Sequence, residues 1–423
     1  MKSIHRRTRL AAGEEYVHMK SNRGTRSAAL VAVLLALVMG GFEGISAPFD
    51  HTASAQEHSR DTDPFGPDDV TVETLPIPHT WVAHPLPSDG DGDGIPTLTE
   101  MLSVCLNPSD PDTDDDGIPD GIEVNGIING FDFQAEGADP CHRDIFVELD
   151  AEQRPVGMLV QDAQFGAVLQ QALIDFYAAL PIANPDGSTG ITLHLYPSDV
   201  LPANFDCANQ DSPFSYPSDY FHKAELCLTN NGRISGHGAL PGQRFRITGP
   251  PLNLIANDDA TERAQYSWYW LFLHELGHNL NLMHGGNVNT NWKPHYPSLM
   301  NYLYDESLNG SPHTLSGGGI NYSTGALAAF ALNECSLTER GSFPGLTVAD
   351  LAFMSFFPAS FGVLNGSPVN GPRVDWNRSG AIDLGTIGYD ITDDQTISCT
   401  DLFDVDDMAI IASDMGLGLP GRP

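Results

Sequence analysis

An α+β fold is what this 423-residue sequence predicts. Three observations carry the prediction. Strand patterns stand at 145–149, 191–195 and 244–247. Two long helical patterns are interleaved with them, at 159–180 and from 257 or 258 to about 280. Loops are abundant, because the 42 Gly and 31 Pro make up about 17% of the chain against a usual ~12%. Hydrophobic residues supply 41%, enough for a packed core, and the length allows two or three domains.

Charge excludes two classes of partner. Lys and Arg total 20 against 55 Asp and Glu, a formal net charge of −35. A surface so acidic repels phosphate backbones and anionic lipid alike. The cations are also concentrated: Lys2, Arg6, Arg7, Arg9, Lys20, Arg23 and Arg26 all precede an uncharged apolar run from Ala28 to Met39. That run has the length of a signal-peptide core and is too short for a comfortable span. Ala53-Ser54-Ala55 follows as a cleavage candidate, so residues 1–55 read as a signal peptide, with Met19 the more ordinary start. The competing reading is an uncleaved anchor. Export agrees with the even cysteine count, six, and local intervals favour sequential pairing: Cys105 with Cys141, Cys207 with Cys227, Cys335 with Cys399.

Residues 56–88 are rich in Pro, Asp and His without periodicity and read as a linker. Residues 89–140 form an acidic segment, whose first 35 positions hold 11 acids and no Lys or Arg. Ile145 to Leu149 then reads as a buried strand, Leu159 to Leu180 as an amphipathic helix closed by Pro181, and Ile191 to Leu195 as an alternating strand. Residues 200–250 are loop-rich apart from Arg244 to Ile247. Asn257 or Asp258 can cap the next helix. Residues 141–365 are expected to form one domain, and 366–423 a C-terminal acidic module.

The second helix ends in His274-Glu275-Leu276-Gly277-His278-Asn279-Leu280-Asn281-Leu282-Met283-His284. Four residues apart, His274 and His278 face one side of the helix and pre-form two ligands for a tetrahedral zinc. Glu275, rotated about 100° from His274, can reach a metal-bound water. His284 becomes a third ligand only if the chain turns, and Asn281 stands where the turn is needed, being the non-glycine residue that best tolerates left-handed backbone. Taken alone, the two helical histidines also fit a plain surface pair.

The run resembles the H-E-x-x-H-x-x-G-x-x-H signature of metzincin metallopeptidases, with Asn281 where that family usually has Gly. Ser298-Leu299-Met300-Asn301-Tyr302 resembles their Met-turn, and Asn291 to Pro297 is similar to secreted bacterial members. The resemblance spans roughly 260–305. It implies a mixed twisted sheet and two long helices above the cleft, with an irregular C-terminal subdomain below. It also implies that Met300 forms a floor under the zinc histidines and that an edge strand pairs with an extended peptide. In some members a tyrosine at the position of Tyr302 contacts the zinc or the oxyanion; otherwise Tyr302 is a core phenol.

Asp89, Asp91, Asp93, Gly94 and Glu100 match the calcium-loop pattern D-x-[DN]-x-[DN]-G-x₅-E, and so do Asp112, Asp114, Asp116, Gly117 and Glu123. Alternate acids supply oxygens and glycine makes the bend. Their 23-residue spacing and D-x-D-G-I-P wording resemble thrombospondin type 3 repeats. Asp375, Asn377, Ser379 and Asp383 form a shorter version resembling a dockerin-like loop, with Thr386 at the twelfth position and Asp404, Asp406 and Asp407 as a candidate partner half-site. The alternatives are a solvated acidic segment and a plain acidic turn.

The expectation is therefore a secreted, monomeric zinc endopeptidase stabilised by calcium, acting on protein or peptide. His274, His278 and His284 hold zinc, and Glu275 takes a proton from the attacking water. Two competing readings are a calcium-binding adhesion or matrix protein with an inactive metal site, and a zinc hydrolase of a non-peptide amide.

Overall fold

The structure is a computed structural model. It describes residues 89–152, 166–202, 205–228, 235–249, 258–304, 321–347, 350–351, 362–364 and 372–422. The expected signal peptide, the linker and the first part of the helix expected from Leu159 lie outside the described residues. In chain order the elements are α1 (Thr97–Leu102), α2 (Asp120–Asn125), β1 (Ile127–Ile128), β2 (Phe131–Asp132), α3 (Phe133–Glu136), β3 (Asp144–Glu152), α4 (Ala167–Ala178) and β4 (Thr192–Leu201). They continue with β5 (Phe221–Leu228), β6 (Ser235–Gly238), β7 (Arg244–Gly249), α5 (Asp258–Asn279), β8 (Leu337–Thr338), β9 (Gly362–Leu364), β10 (Arg373–Asp375), β11 (Thr386–Ile387) and α6 (Asp407–Asp414).

A five-stranded mixed sheet runs in the order β4-β3-β5-β7-β6. Its first four strands are parallel, and β6 is an antiparallel edge strand on β7. Alternation along β3 sorts its two faces. Ile145, Val147, Leu149 and Ala151 share a core with Leu169, Leu173 and Tyr177 of α4 and with Phe272 and Leu276 of α5. The other face carries Phe146, Glu148 and Asp150, which are buried as well. Phe146 joins an aromatic cluster with Phe133 and Phe221. Glu148 and Asp150 both pair with Lys223, at 3.0 and 2.7 Å, and all three side chains are fully buried. A strand buried on both faces shows no clean hydrophobic alternation, and its acids are tolerable there because they find a cation inside.

The three disulfides follow the sequential pairing, Cys105–Cys141, Cys207–Cys227 and Cys335–Cys399. Toward the C-terminus, Leu332, Leu337, Phe343, Val374, Trp376 and Ile391 surround a second, smaller core. Met408, Ile411 and Met415, on and just after α6, pack into the main core instead. No helix among the described residues is long and apolar enough to cross a membrane.

Candidate metal centre and acidic loops

Helix α5 delivers its histidines from a buried base. Trp270, one turn before His274, stacks on that imidazole at 4.8 Å between centroids, and the helix is buried from Trp270 through Leu280. At its end, Asn281 adopts φ 70°, and the backbone N–H groups of Asn281 and Leu282 donate to the carbonyls of His278 and Gly277. A tight reversal follows, with Met283 and Gly286 exchanging backbone hydrogen bonds at 2.7 and 2.9 Å. It turns His284 back toward the helix. The three rings lie 4.9, 5.4 and 4.8 Å apart, and one ring nitrogen from each falls within 4.8 Å of the other two.

Carbonyl groups choose which nitrogen faces inward. His274 Nδ1 donates to Leu299 O at 2.8 Å, and His278 Nδ1 donates to Leu282 O at 2.7 Å. Each contact commits Nδ1 to carrying the proton and leaves the Nε2 lone pair free. His274 Nε2 and His284 Nε2 are buried and have no hydrogen-bond partner. Burial also pushes all three imidazoles below their ordinary pKa, His278 to about 4. Neutral, converging imidazoles, two of them with an orphaned Nε2, are the donor set of a zinc site with an open fourth position, so the residues fit the metal.

Glu275 is 4% exposed. Burial pushes its carboxyl up to about 8, opposed by a hydrogen bond from the Gly238 backbone. The contact comes from β6, in which Gly236 and Gly238 face the helix. A methyl group at Gly236 would collide with the Glu275 carboxylate, and one at Gly238 would stand 2.6 Å from the Glu275 carbonyl. Sequence reading missed β6, because glycine is depleted in strands; the usable signal was the period-two Gly-x-Gly.

Met300 is fully buried. Its sulfur lies 2.7 Å from where a Cβ on Gly277 would be, so it packs against the helix between the two histidines. Tyr302 stands with its ring 4.3 Å from that of His284 and 5.5 Å from that of His274. Asp407 supports this turn from below: it accepts from Tyr296 Oη at 2.7 Å, from Ser298 Oγ at 2.5 Å and from Ser323 N at 2.8 Å. Asp404 accepts from Ser323 and Leu327, and Asp406 caps α6 through Ala409 N. The three acids expected as a calcium half-site are thus engaged by protein donors.

The N-terminal loops bring their predicted acids together. Asp89, Asp91 and Asp93 form one group, and Asp112, Asp114 and Asp116 another. Glu100 joins Asp93 and Asp120, while Glu123 joins Asp116 and Asp144; neither Asp120 nor Asp144 was singled out from sequence. Both carboxylate oxygens of Glu100 and of Glu123 are buried without a partner. Burial and neighbouring acids raise the carboxyls of Asp114, Asp116 and Glu123 well above the ordinary range.

In the C-terminal loop, Asp375 accepts from the N–H groups of Ser379 and Gly380 at 2.9 and 2.7 Å, and Asn377 Nδ2 donates to Asp383 at 2.9 Å. A further loop repeats this geometry without the motif. Asp390 accepts from Asp394 N and Gln395 N at 3.3 and 2.8 Å. Positive φ recurs at Asp393 and Gln395, as at Arg378 and Gly380. Two fully buried glutamates serve the pair. Glu339 accepts from Asn377 N and Asp383 N, and Glu334 from Thr392 N and Ser398 N. Gln395 in place of glycine hid the second loop from sequence reading.

Neither a protein-family model nor a curated protein matches the sequence. Among solved structures the chain is similar to an archaemetzincin from Methanopyrus kandleri, at 15% identity and a TM-score of 0.25, over 43% of this chain and 89% of that one. At that score the likeness carries no functional argument.

Proposed function

We propose that this chain is a secreted zinc-dependent endopeptidase whose N-terminal acidic loops bind structural calcium. The observation that carries the reading is the meeting of three neutral imidazoles, two of them with an orphaned Nε2, beside the buried carboxyl of Glu275. His274, His278 and His284 would hold the metal. Zinc bound there supplies a Lewis acid that acidifies water and polarises a carbonyl. Glu275 takes the proton of the attacking water and returns it to the leaving amine. Its high proton affinity suits the first task, and the field of a nearby cation favours the ionised form that the task requires.

The remaining residues orient and support. Gly238 N–H holds the Glu275 carboxylate, Met300 packs beneath the histidines, and Tyr302 is positioned to donate to a developing oxyanion. The free edge of β6 offers backbone groups to an extended peptide. Three disulfides agree with an oxidising compartment. Calcium at Asp89, Asp91, Asp93 and Glu100, and at Asp112, Asp114, Asp116 and Glu123, would neutralise two clusters of acids in which Glu100 and Glu123 are otherwise buried without compensation. The C-terminal loop of Asp375, Asn377, Ser379 and Asp383 is a third, lighter candidate. The chain acts as a monomer on protein or peptide.

Casein or gelatin zymography with and without a zinc chelator tests the activity. Clearing that disappears with the chelator, and in Glu275→Gln protein that still binds stoichiometric zinc, is the expected result. Zinc-loaded wild-type protein that clears neither substrate would sink the reading.

A further inference from the structure

The motif supplies each acidic loop with its own four carboxylates, at the first, third, fifth and twelfth positions. The folded chain adds one more to each, and both come from outside the loop they join. In the first loop, the fifth-position Asp93 and the twelfth-position Glu100 meet Asp120; in the second, the equivalent Asp116 and Glu123 meet Asp144. In both groups the ligand oxygens lie within 4.8 Å of one another. That is the span two oxygens can have when each is bonded to the same calcium at about 2.4 Å.

From this geometry we infer that the two loops are wired in series onto the sheet: Asp120 completes the ion site of the first loop, and Asp144, the first residue of β3, completes that of the second. The inference rests on the calcium reading of the loops and goes beyond it in naming these two residues and the order they impose.

Orphaned oxygens point to the ion independently of the acid count. Glu100 and Glu123 are fully buried, and none of their four carboxylate oxygens has a partner. Asp114 is also fully buried, with Oδ2 unpartnered. Glu100 and Glu123 each belong to one of the two clusters, and Asp114 stands in the adjoining group with Asp112 and Asp116.

The recruited aspartates are held ready. Asp144 Oδ1 faces His194 Nε2 at 2.6 Å, and Oδ2 accepts from Asp139 N at 2.9 Å. His194, on the neighbouring β4, is itself stacked on Phe146 at 4.2 Å. Asp144 N–H in turn donates to Asp116 at 2.8 Å, so strand and loop are already joined at the site. Asp120 is oriented by Thr113, whose N–H and hydroxyl donate to its two oxygens at 2.8 and 2.6 Å.

Asp120 also occupies the ninth position of its own loop, where ligands often act through water. Two contacts assign it to the other loop. Its oxygen groups with Asp93 and Glu100, and the next residue, Gly121, lies so close to Asp93 that a methyl there would collide with the Asp93 carbonyl. The first loop therefore rests on the start of α2, and the loop before α2 rests on β3. An ion lost from the second site loosens both; an ion lost from the first loosens only itself.

Hydrogen exchange of the full secreted chain, followed by mass spectrometry across a series of free calcium concentrations, reads the two loops separately through peptides covering 89–103 and 110–126. Asp144→Asn should raise the calcium midpoint of both peptides about tenfold or more. Asp120→Asn should raise that of 89–103 alone. His194→Gln, which removes the partner of Asp144 but keeps the ligand, should shift either midpoint by less than about threefold. Absence of calcium-dependent protection in wild-type protein would overturn the calcium reading itself. Wild-type protection with an unmoved Asp144→Asn midpoint, or an Asp120→Asn shift shared equally by both peptides, would overturn the series. Should Asp144→Asn not fold, Asp120→Asn and Gly121→Ala decide the first link alone: a first-loop shift supports it and no shift refutes it.

Discussion

Gly236 of the edge strand and Glu275 of the histidine-bearing helix are in such close contact that a single methyl on the strand would occupy the space of the Glu275 carboxylate. The relationship ties the shape of the cleft wall to the position of the proposed base. The obstructed atoms are the end of a side chain, so a methyl there displaces the carboxylate and leaves the backbone intact.

Gly236→Ala should therefore lower kcat by about a hundredfold, the typical loss when a reacting group is displaced by an ångström. Zinc content and melting temperature should stay near wild type. Steady-state kinetics on a peptide, alongside elemental analysis, checks this; unchanged kcat would mean that Glu275 does not need that wall.

Asn281 carries the left-handed residue conformation that ends α5 and lets His284 return. Asn281→Gly should be close to neutral, whereas Asn281→Ala should destabilise by about 1 kcal/mol. Thermal or denaturant unfolding of the two variants separates the backbone requirement from the hydrogen bond that Asn281 Nδ2 donates to Asp414 at 3.1 Å. If both variants lose the same stability, the side chain matters and the conformation does not.

Asp407 anchors Tyr296, Ser298 and Ser323 N–H beneath the turn that carries Leu299 and Met300. Asp407→Ala leaves those buried donors unpaired, at about 1–3 kcal/mol. Because Leu299 O orients His274, zinc affinity should fall as well, by about tenfold. A competition titration against a zinc chelator measures the second effect, and an unaltered affinity would confine Asp407 to stability.

Chelating calcium should make stability depend on pH with a defined sign. Burial pushes Glu100 up to about 7 and Asp120 up to about 6 in the folded chain. Their unfolded values lie near 4. Between about pH 4 and 7 the folded state then holds protons that the unfolded state has released, so stability falls as pH rises through that window. Calcium binds the ionised carboxylates and should reverse the trend. Melting temperatures in EGTA should drop from pH 5 to pH 7 while those in calcium do not; parallel curves would remove cation binding from the stability of these loops.

Much of the candidate metal centre's geometry was legible in the sequence because helical geometry is local. A separation of four residues puts His274 and His278 on one side whatever surrounds them, and the need for a turn before His284 selects Asn281. The strand and helix at 191–195 and 258–279 were readable for the same reason, since hydrophobic period is a property of neighbouring residues. β6 was not readable: its glycines oppose strand formation locally, and only packing against Glu275 explains them.

The sequence by itself determined which residues could bind metal, since chelating motifs are set by short spacings along one segment. Tertiary structure alone decided what completes and supports them. Asp120 and Asp144 join acidic loops that end before them or belong to another repeat. Asp407 reaches back across more than a hundred residues to the Met300 turn. Gly236 shapes the proposed base from another element. Such contacts arise when the sheet brings distant segments together, and no periodicity in the chain records them.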